Sequence, residues 1–286
     1  MRRPVTWLDV FTSVPLTGNQ LAVVHDADGI DDKTMLAFAR ETRLSETTFV
    51  QSATQPGADY RNRIFAAPHE LPFAGHPSLG TAVAVARARG ERTAAYVQQT
   101  QAGLQPIEVE VDADGDAARA SMLQEPASFG PQVDPATTMA AAGLTAADAH
   151  PDLSPQLVST GQPHLMAPVR DAAALRRADP DRAAMRALLE PLTALVLYLV
   201  AVDPPAQRAS ARGFFLDRGA ITEDPATGSA AGPLLAYLRE HTGTTALTID
   251  QGVEMGRPSR IDCAWEDDRP RVSGDVVVVA DGHVRL

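Results

Sequence analysis

The alternation of apolar and polar residues predicts a chain built from many short strands and few helices. Residues 31–43 form an amphipathic pattern with an acidic start, which predicts a surface helix. The predicted strands are rich in β-branched and aromatic residues. They lie at residues 5–11, 21–24, 45–51 and 60–66, and in a C-terminal stretch whose centre is residues 276–279.

Two further runs, residues 81–88 and 229–238, are apolar on nearly every side. A helix with no polar face is buried. Many short strands together with one buried helix in each half of the chain predict an α+β fold. Each half is expected to be a barrel-like, mostly antiparallel sheet around a central helix.

The two apolar runs follow nearly the same heptapeptide, at residues 76–82 and 224–230. Both copies read polar-Pro-x-x-Gly-hydroxyl-Ala, and His76 opens the first whereas Asp224 opens the second. Residues 125–154, rich in Pro, Ala, Gly and Asp, separate them and predict a domain boundary. We therefore predict two similar domains, residues 1–130 and 131–286, and the last strand belongs to the second or crosses to the first.

Each heptapeptide is interpreted as the start of a central helix, because proline favours the first helical position and Asp favours the N-cap. A helix start with uncovered N–H groups attracts anions. Two such starts facing each other across a cleft would hold a carboxylate, with Ser229 and Thr81 as further donors. The alternative is that His76 and Asp224 serve as N-caps only.

Composition narrows the function classes. The net charge of −11 disfavours nucleic acid and anionic membranes as partners. No signal region or membrane span is expected, so we predict a cytoplasmic protein. Cys263 is the only cysteine and Lys33 the only lysine. Paired cysteines and a cysteine zinc site are thereby excluded, and a Schiff-base lysine at a heptapeptide is not available.

Motifs for other cofactors are missing as well. The chain has no Gly-x-x-x-x-Gly-Lys loop and no Gly-x-Gly-x-x-Gly turn. His69 and Glu70 do not begin a His-Glu-x-x-His motif, because Phe73 stands at the position of the second histidine. These absences disfavour NTP hydrolysis, Rossmann-type dinucleotide binding and a metal site.

Glu46 is a third candidate for chemistry. In a strand over residues 45–51 it shares a face with Leu44, Thr48 and Val50, which is a largely apolar face. The carboxylate is then either at an edge in water or buried for a reason. Burial would raise its pKa toward neutrality, where a carboxyl group both accepts and donates a proton.

These residues resemble a known family, the PhzF-like isomerases of phenazine biosynthesis. The resemblance runs nearly end to end. It is carried by the motifs at residues 17–19, 44–50, 70–77, 223–233 and 251–260. The lack of paired cysteines agrees with this branch and departs from the cysteine-dependent epimerases of the same superfold.

The resemblance implies a diaminopimelate-epimerase-like fold with the active site in the cleft between two domains. It implies that Glu46 is the acid/base and that His76, Asp224 and Ser229 bind and polarise a small carboxylate substrate. The member that names the group acts without metal or organic cofactor, so the resemblance implies none here, and members are commonly homodimers. The residues expected to bind substrate are Gly75, Gly228, Ser229, Thr81 and Ser45.

The leading hypothesis is therefore a cofactor-independent isomerase for a small cyclic or amino-acid-like carboxylate, of the type that isomerises trans-2,3-dihydro-3-hydroxyanthranilate. One alternative is an epimerase of an amino or hydroxy acid. Another is a non-catalytic protein that binds a carboxylate metabolite. A hydrolase is disfavoured, because no Gly-x-Ser-x-Gly elbow surrounds Ser229.

Overall fold

The computed structural model describes residues 2–217 and 219–286, which form two compact units. Unit 1 comprises Met1–Met122 and Ser273–Leu286, and unit 2 comprises Leu123–Val272. The last strand, β17 (Arg269–Arg285), begins in unit 2 and continues into unit 1, where it pairs with the first strand. None of the described helices is long and apolar enough to cross a membrane.

Unit 1 is a closed eight-stranded barrel in the order β17–β1–β2–β3–β4–β6–β7–β8, with β8 returning to β17. The β2–β3 and β4–β6 pairs are parallel, and the other registered pairs are antiparallel. The strands are β1 (Arg2–Val10), β2 (Asn19–Val24), β3 (Thr47–Gln51), β4 (Tyr60–Phe65), β5 (Glu70–Leu71), β6 (Thr93–Thr100), β7 (Gly103–Val111) and β8 (Ala117–Leu123).

Two helices occupy different sides of this barrel. Helix α1 (Asp32–Thr42) is amphipathic, begins at the N-cap Asp31, and packs Met35 and Ala39 against an apolar cluster. Helix α2 (Gly75–Arg89) contacts six of the barrel strands and is buried from Gly75 to Ala86. The apolar run at residues 81–88 therefore lies in the buried helix that its composition predicts.

Unit 2 has a sheet in the order β9–β10–β11–β12–β13–β15–β16. Strand β14 pairs with the C-terminal half of β13, whereas β15 pairs with its N-terminal half. The β11–β12 and β13–β15 pairs are parallel. The strands are β9 (Ser128–Gln132), β10 (Gln156–Ser159), β11 (Pro163–Pro168), β12 (Leu197–Asp203), β13 (Arg208–Asp217), β14 (Ala220–Asp224), β15 (Ala246–Gln251) and β16 (Ser259–Glu266).

The buried helix of unit 2 is α6 (Gly228–Thr242), which packs against strands β10, β11, β15 and β16. Three short helices supply a separate apolar cluster with β11, β12 and β13. Each begins at an aspartate that caps its first turn. These helices are α3 (Pro135–Ala141), α4 (Ala172–Arg177) and α5 (Arg182–Leu189).

The two units contain equivalent ion pairs at equivalent strands. In each unit an arginine of a long strand, β4 or β13, forms a two-point ion pair with a glutamate of the short strand beside it, β5 or β14. Arg63 pairs with Glu70 at 2.5 and 2.8 Å, and Arg212 pairs with Glu223 at 2.8 Å. Both guanidinium groups also stack on a phenylalanine two residues further along.

The helix starts differ from the predicted alignment of the heptapeptides. The N-caps are Ala74 and Thr227, so His76 is the second residue of α2, whereas Asp224 is the last residue of β14. The residue of unit 2 that corresponds to His76 is therefore Ser229, because each is the second residue of its helix. Proline fits several positions before and within a first turn, because the N–H groups there have no intrahelical acceptor. Aligning the two heptapeptides on their prolines therefore matched residues that hold different positions relative to their helices.

Gly80 allows α2 to lie close to the barrel wall. A Cβ atom at Gly80 would lie 2.6 Å from Cδ2 of Leu21 and 2.9 Å from Cγ2 of Val10. We expect Gly80→Ala to lower the free energy of unfolding by about 1–3 kcal/mol in urea denaturation, because both neighbours are fully buried. Gly282→Ala is the control, since its Cβ would meet only Val5 at 3.9 Å, and should change it by less than about 0.5 kcal/mol.

Candidate active site

Glu46 lies directly before β3, in the segment that connects α1 to the barrel. The predicted strand over residues 45–51 is thus shorter in the structure and begins at Thr47. The Glu46 side chain is 17% exposed, and its Oε2 lies 3.5 Å from Nε2 of His76. A carboxylate with restricted access to water therefore faces an imidazole at the start of α2.

His76 is held as a neutral imidazole. Its side chain is 7% exposed. Burial lowers the pKa of His76 to about 3, and the backbone of Gln20 acts in the opposite direction. The positive end of the α2 dipole adds to the cost of a second positive charge at this position. At neutral pH the ring is therefore available as an uncharged hydrogen-bond donor or acceptor.

The other predicted residues of unit 1 lie at different depths. Ser45 is exposed and its hydroxyl donates a 3.4 Å hydrogen bond to Oδ1 of the buried Asn19. Gly75 is the first residue of α2. Thr81 is fully buried, and its hydroxyl lies 2.8 Å from that of Thr48. Ser45 and Gly75 thus lie beside the Glu46–His76 pair in sequence, whereas Thr81 joins the helix to β3.

In unit 2 the predicted residues surround the turn between β14 and α6. The hydroxyl of Thr227 donates to Oδ2 of Asp224 at 2.8 Å. Gly228 and Ser229 are the first two residues of α6, where backbone N–H groups have no intrahelical acceptor. A carboxylate, a hydroxyl and the positive end of a helix are therefore grouped within six residues of the chain.

Buried glutamine side chains hold this turn, and the sequence did not point to them. Nε2 of Gln251 donates to the Asp224 carbonyl at 2.8 Å and to the Thr227 hydroxyl at 2.9 Å, and its Oε1 accepts from the Thr227 N–H at 3.1 Å. Gln124 donates to the Gly228 carbonyl at 2.9 Å. The signal for Gln251 is its place in the motif at residues 251–260, whereas nothing local marks Gln124.

A cavity of about 860 Å³ lies at the other end of α2, around Arg87 and Gly90. The Arg87 guanidinium lies 3.3 Å from Asp281 and 3.7 Å from Asp116. Its charge is thus compensated by carboxylates of the protein. The Glu46 end of the helix is the better candidate site, because a partly buried carboxylate beside a neutral imidazole suits proton transfer better than a set of exposed ion pairs does.

No group of three metal-ligating side chains occurs among residues 2–217 and 219–286. Cys263 lies in β16 and is buried, and burial raises the pKa of its thiol. A buried protonated thiol is a poor nucleophile. The acid/base candidates of the described chain are therefore carboxylates and imidazoles.

Comparison with known proteins agrees with this fold and identifies a family of isomerases. The family described as phenazine biosynthesis-like protein (PhzC-PhzF) matches residues 8–282. A trans-2,3-dihydro-3-hydroxyanthranilate isomerase from Pseudomonas aeruginosa is 36% identical over 288 residues, 98% of each chain. The structure of a predicted epimerase from the same species is also 36% identical, with a TM-score of 0.85 over 99% of each chain.

A more distant likeness shows the fold alone. A hydroxyproline epimerase from Agrobacterium vitis is 14% identical, with a TM-score of 0.66 over 99% of this chain and 91% of that one. The predicted α+β, diaminopimelate-epimerase-like fold is thereby confirmed.

The neutral histidines make stability depend on pH. Burial also lowers the pKa of His164 to about 4. Below about pH 6.5 the unfolded chain protonates His76 and His164, whereas the folded protein does not until its lower pKa values are reached. The free energy of unfolding should therefore fall as the pH decreases from about 6.5 to 4, by up to about 1.4 kcal/mol per pH unit for each histidine.

Urea denaturation across this pH range tests the effect. His76→Gln should reduce the slope by the share of one histidine, and His69→Gln, at an exposed histidine of the same unit, controls for the substitution itself. A slope that is the same in His76→Gln and in the unchanged protein would contradict a neutral, buried His76.

Proposed function

This chain belongs to the phenazine biosynthesis-like protein family, and we propose that it is a metal- and cofactor-independent isomerase that moves a proton between carbons of a small carboxylate. Its relatives are named isomerases, and the chain is an isomerase of this family. The observation that carries the finer proposal is the shielded Glu46 carboxylate 3.5 Å from the neutral His76 at the start of a helix.

We propose that Glu46 acts as the acid/base. Its carboxylate removes a proton from a carbon next to an activating group, so that a C–H bond breaks and a carboxyl O–H bond forms. The electron pair stays on the substrate as a delocalised anion. The carboxyl proton exchanges with solvent, and Glu46 then delivers a proton to another carbon, which regenerates the carboxylate and leaves the substrate isomerised.

Charge arguments assign the supporting roles in this proposal. An anion that develops near α2 is stabilised by the positive end of the helix and by an N–H of a neutral imidazole. His76 fits the second role, because its low pKa keeps it from competing with Glu46 for the proton. We propose that Ser45 and Gly75 bind substrate near Glu46 and His76. Thr81 supports α2 through the contact of its hydroxyl with that of Thr48 in β3.

We further propose that Asp224, Gly228 and Ser229 of unit 2 bind a polar group of a substrate. The N–H groups at the start of α6 suit a carboxylate, and the Asp224 carboxylate suits an ammonium or hydroxyl group. Together they favour a substrate that carries both, as amino acids and cyclic amino-acid-like carboxylates do. A homodimer and a cytoplasmic location remain predictions from the sequence.

The substrate of the named relative provides the first compound to test. Trans-2,3-dihydro-3-hydroxyanthranilate is the compound in the name of the Pseudomonas aeruginosa isomerase. An epimerase is the second candidate, favoured by the predicted epimerase that shares 36% of its residues with this chain. Both reactions begin with removal of a proton from carbon, so one measurement addresses both.

Proton transfer is tested by NMR in heavy water, with trans-2,3-dihydro-3-hydroxyanthranilate and a panel of small amino and hydroxy acids. We expect deuterium to enter one compound at carbon. Glu46→Gln should slow this about 10²–10⁴-fold, because general acid/base catalysis contributes about that factor. Glutamine keeps the size of the side chain, so folding and ligand binding should persist.

Glu41→Gln is the matched control, since Glu41 is an exposed glutamate of α1 in the same unit. Full activity of Glu46→Gln would show that another group carries the proton. Binding of a compound without exchange at carbon would favour the non-catalytic carboxylate-binding protein over the isomerase.

A further inference from the structure

The cavity at the C-terminal end of α2 lies wholly within unit 1. Its volume of about 860 Å³ falls in the range of small-molecule sites, which are mostly apolar inside with a few polar groups. Buried apolar side chains of three elements form its floor: Val5 of β1, Ala84 of α2 and Val111 of β7. Exposed residues of the β7–β8 turn and of β17 form its rim. The cavity therefore combines an apolar floor with a polar rim.

His25 supplies a polar atom to this cavity. It directly follows β2, is 9% exposed, and lines the cavity beside Thr6. Nε2 of the ring lies 3.0 Å from the Thr6 hydroxyl, whereas Nδ1 has no hydrogen-bond partner among residues 2–217 and 219–286. Polar groups of buried side chains nearly always have a partner, so Nδ1 is left for a molecule inside the cavity, either water or a ligand. The proton transfer proposed for Glu46 does not involve this histidine.

Negative charge predominates around the cavity. Arg87 is already neutralised, because its guanidinium lies 3.3 Å from Asp281 and 3.7 Å from Asp116. The C-terminal end of α2, at the C-cap Gly90, is the negative end of the helix dipole. The other lining guanidinium is that of Arg92. The lining carboxylates without an ion-pair partner in the described chain outnumber it, and they are Asp26, Glu91, Asp112 and Asp114.

The matching end of α6 in unit 2 lacks this arrangement. Continued by one residue, the strand register places Pro168 at the position of His25. The β7–β8 turn at residues 112–116 carries three aspartates, whereas the β16–β17 turn consists of Asp267 and Asp268. The imidazole and the longer acidic turn are thus particular to unit 1. Such a difference between two similar units is expected where one of them binds a ligand at this end and the other does not.

We propose that this cavity binds a small organic cation, a primary ammonium compound with an apolar body. The ammonium group lies among the rim carboxylates and donates a hydrogen bond to Nδ1 of His25, while the apolar body packs on the floor. Burial lowers the pKa of His25, so the ring is neutral at neutral pH and, with its proton on Nε2, offers a lone pair at Nδ1. A metal ion fits less well, because no group of three metal-ligating side chains occurs among the described residues.

The proposed cation site is separate from the candidate active site. Arg87 follows His76 by eleven residues in α2, which is about 17 Å at the rise of an α-helix. A small ammonium compound at the C-terminal end of the helix therefore does not reach Glu46. The inference goes beyond the proposed function and does not depend on it.

Chemical-shift mapping in ¹⁵N-labelled protein tests this inference. Phenethylamine and hexylamine are the probes. Phenylacetate and hexanoate are the controls, since they have similar apolar bodies and the opposite charge. We expect both amines to shift the amide resonances of His25, Gly90 and Gly115 in a saturable manner, and the two acids to leave them unchanged. Glu46→Gln should bind the amines with the same Kd as the unchanged protein.

Two rim carboxylates provide the first variants. Asp112→Asn/Asp114→Asn should raise the Kd of phenethylamine about fivefold, because two exposed charge pairs with the ammonium group are lost. Asparagine keeps the Oδ1 acceptor with which Asp112 binds the Gly115 N–H at 2.7 Å, so the turn should persist. Asp267→Asn/Asp268→Asn makes the same change of charge in an exposed turn of unit 2 and should leave the Kd unchanged.

Variants of His25 separate its two ring nitrogens. His25→Gln places an amide where Nε2 lies and leaves nothing at Nδ1, so it should raise the Kd of phenethylamine about tenfold. His25→Asn places an amide where Nδ1 lies and gives up the contact with Thr6. It should therefore raise the Kd less than His25→Gln does. The reverse order would show that Nδ1 does not bind the ligand.

Three results of the shift mapping would overturn the inference. Equal shifts from the acids would show that the cavity does not select positive charge. Shifts confined to the residues around Glu46 or Asp224 would place the amines at the candidate active site instead. Unshifted cavity amides with both amines would show that the cavity does not bind ammonium compounds. Failure of the protein to turn over its proposed substrate, in contrast, bears on the proposed function alone.

Discussion

Enclosure of a helix by strands is the constraint on which the rest of each unit depends. A helix surrounded by apolar side chains has to be apolar on every side, and its backbone groups are satisfied internally except in the first and last turns. The first turn is therefore the place where an enclosed helix presents unsatisfied N–H groups and a positive dipole end. The candidate chemistry gathers there in both units, at His76 in α2 and at Gly228 and Ser229 in α6.

The same constraint explains which parts of the fold were predictable. Helices without a polar face leave a clear pattern in sequence, and residues 81–88 and 229–238 both proved to lie in buried helices. Strand patterns were also informative, and the ends of the first four predicted strands moved by at most three residues. The outer helices α3, α4 and α5 were missed, although Asp134, Asp171 and Asp181 are N-cap signals that precede them. Their alanine-rich turns have little periodic contrast.

Some residues of the candidate site were predictable from the sequence and others were not. Glu46 and His76 come together at 3.5 Å, and both were candidates because of their local sequence. Gln124 could not be found in this manner, and Gln251 is marked only by its place in the motif at residues 251–260. Each acts on the backbone of a residue far away in the chain, such as Gly228 for Gln124. Partners of that kind are determined by sheet register, which a single sequence specifies only through its overall hydrophobic pattern.

Comparison of matching positions shows how one scaffold carries two different sets of groups. Glu46 directly precedes β3, whereas the residue that directly precedes β12 is the buried Val196. Asp224 pairs with Gly213 in unit 2, and the corresponding position beside Ile64 in unit 1 is Leu71.

Each exchange replaces a carboxylate by an apolar side chain at the same place in the sheet. Shielding from water suits the proton transfer proposed for Glu46, because burial raises the pKa of a carboxyl group, whereas the binding role proposed for Asp224 does not require it. A second carboxylate near Glu46 would raise the energy of its charged form. Placing the two carboxylates at different positions in the two units avoids this repulsion. The Arg63–Glu70 and Arg212–Glu223 pairs occur in both units, and each arginine also contacts a helix other than the central one, since Arg63 pairs with Asp32 of α1 and Arg212 donates to the Leu175 carbonyl of α4.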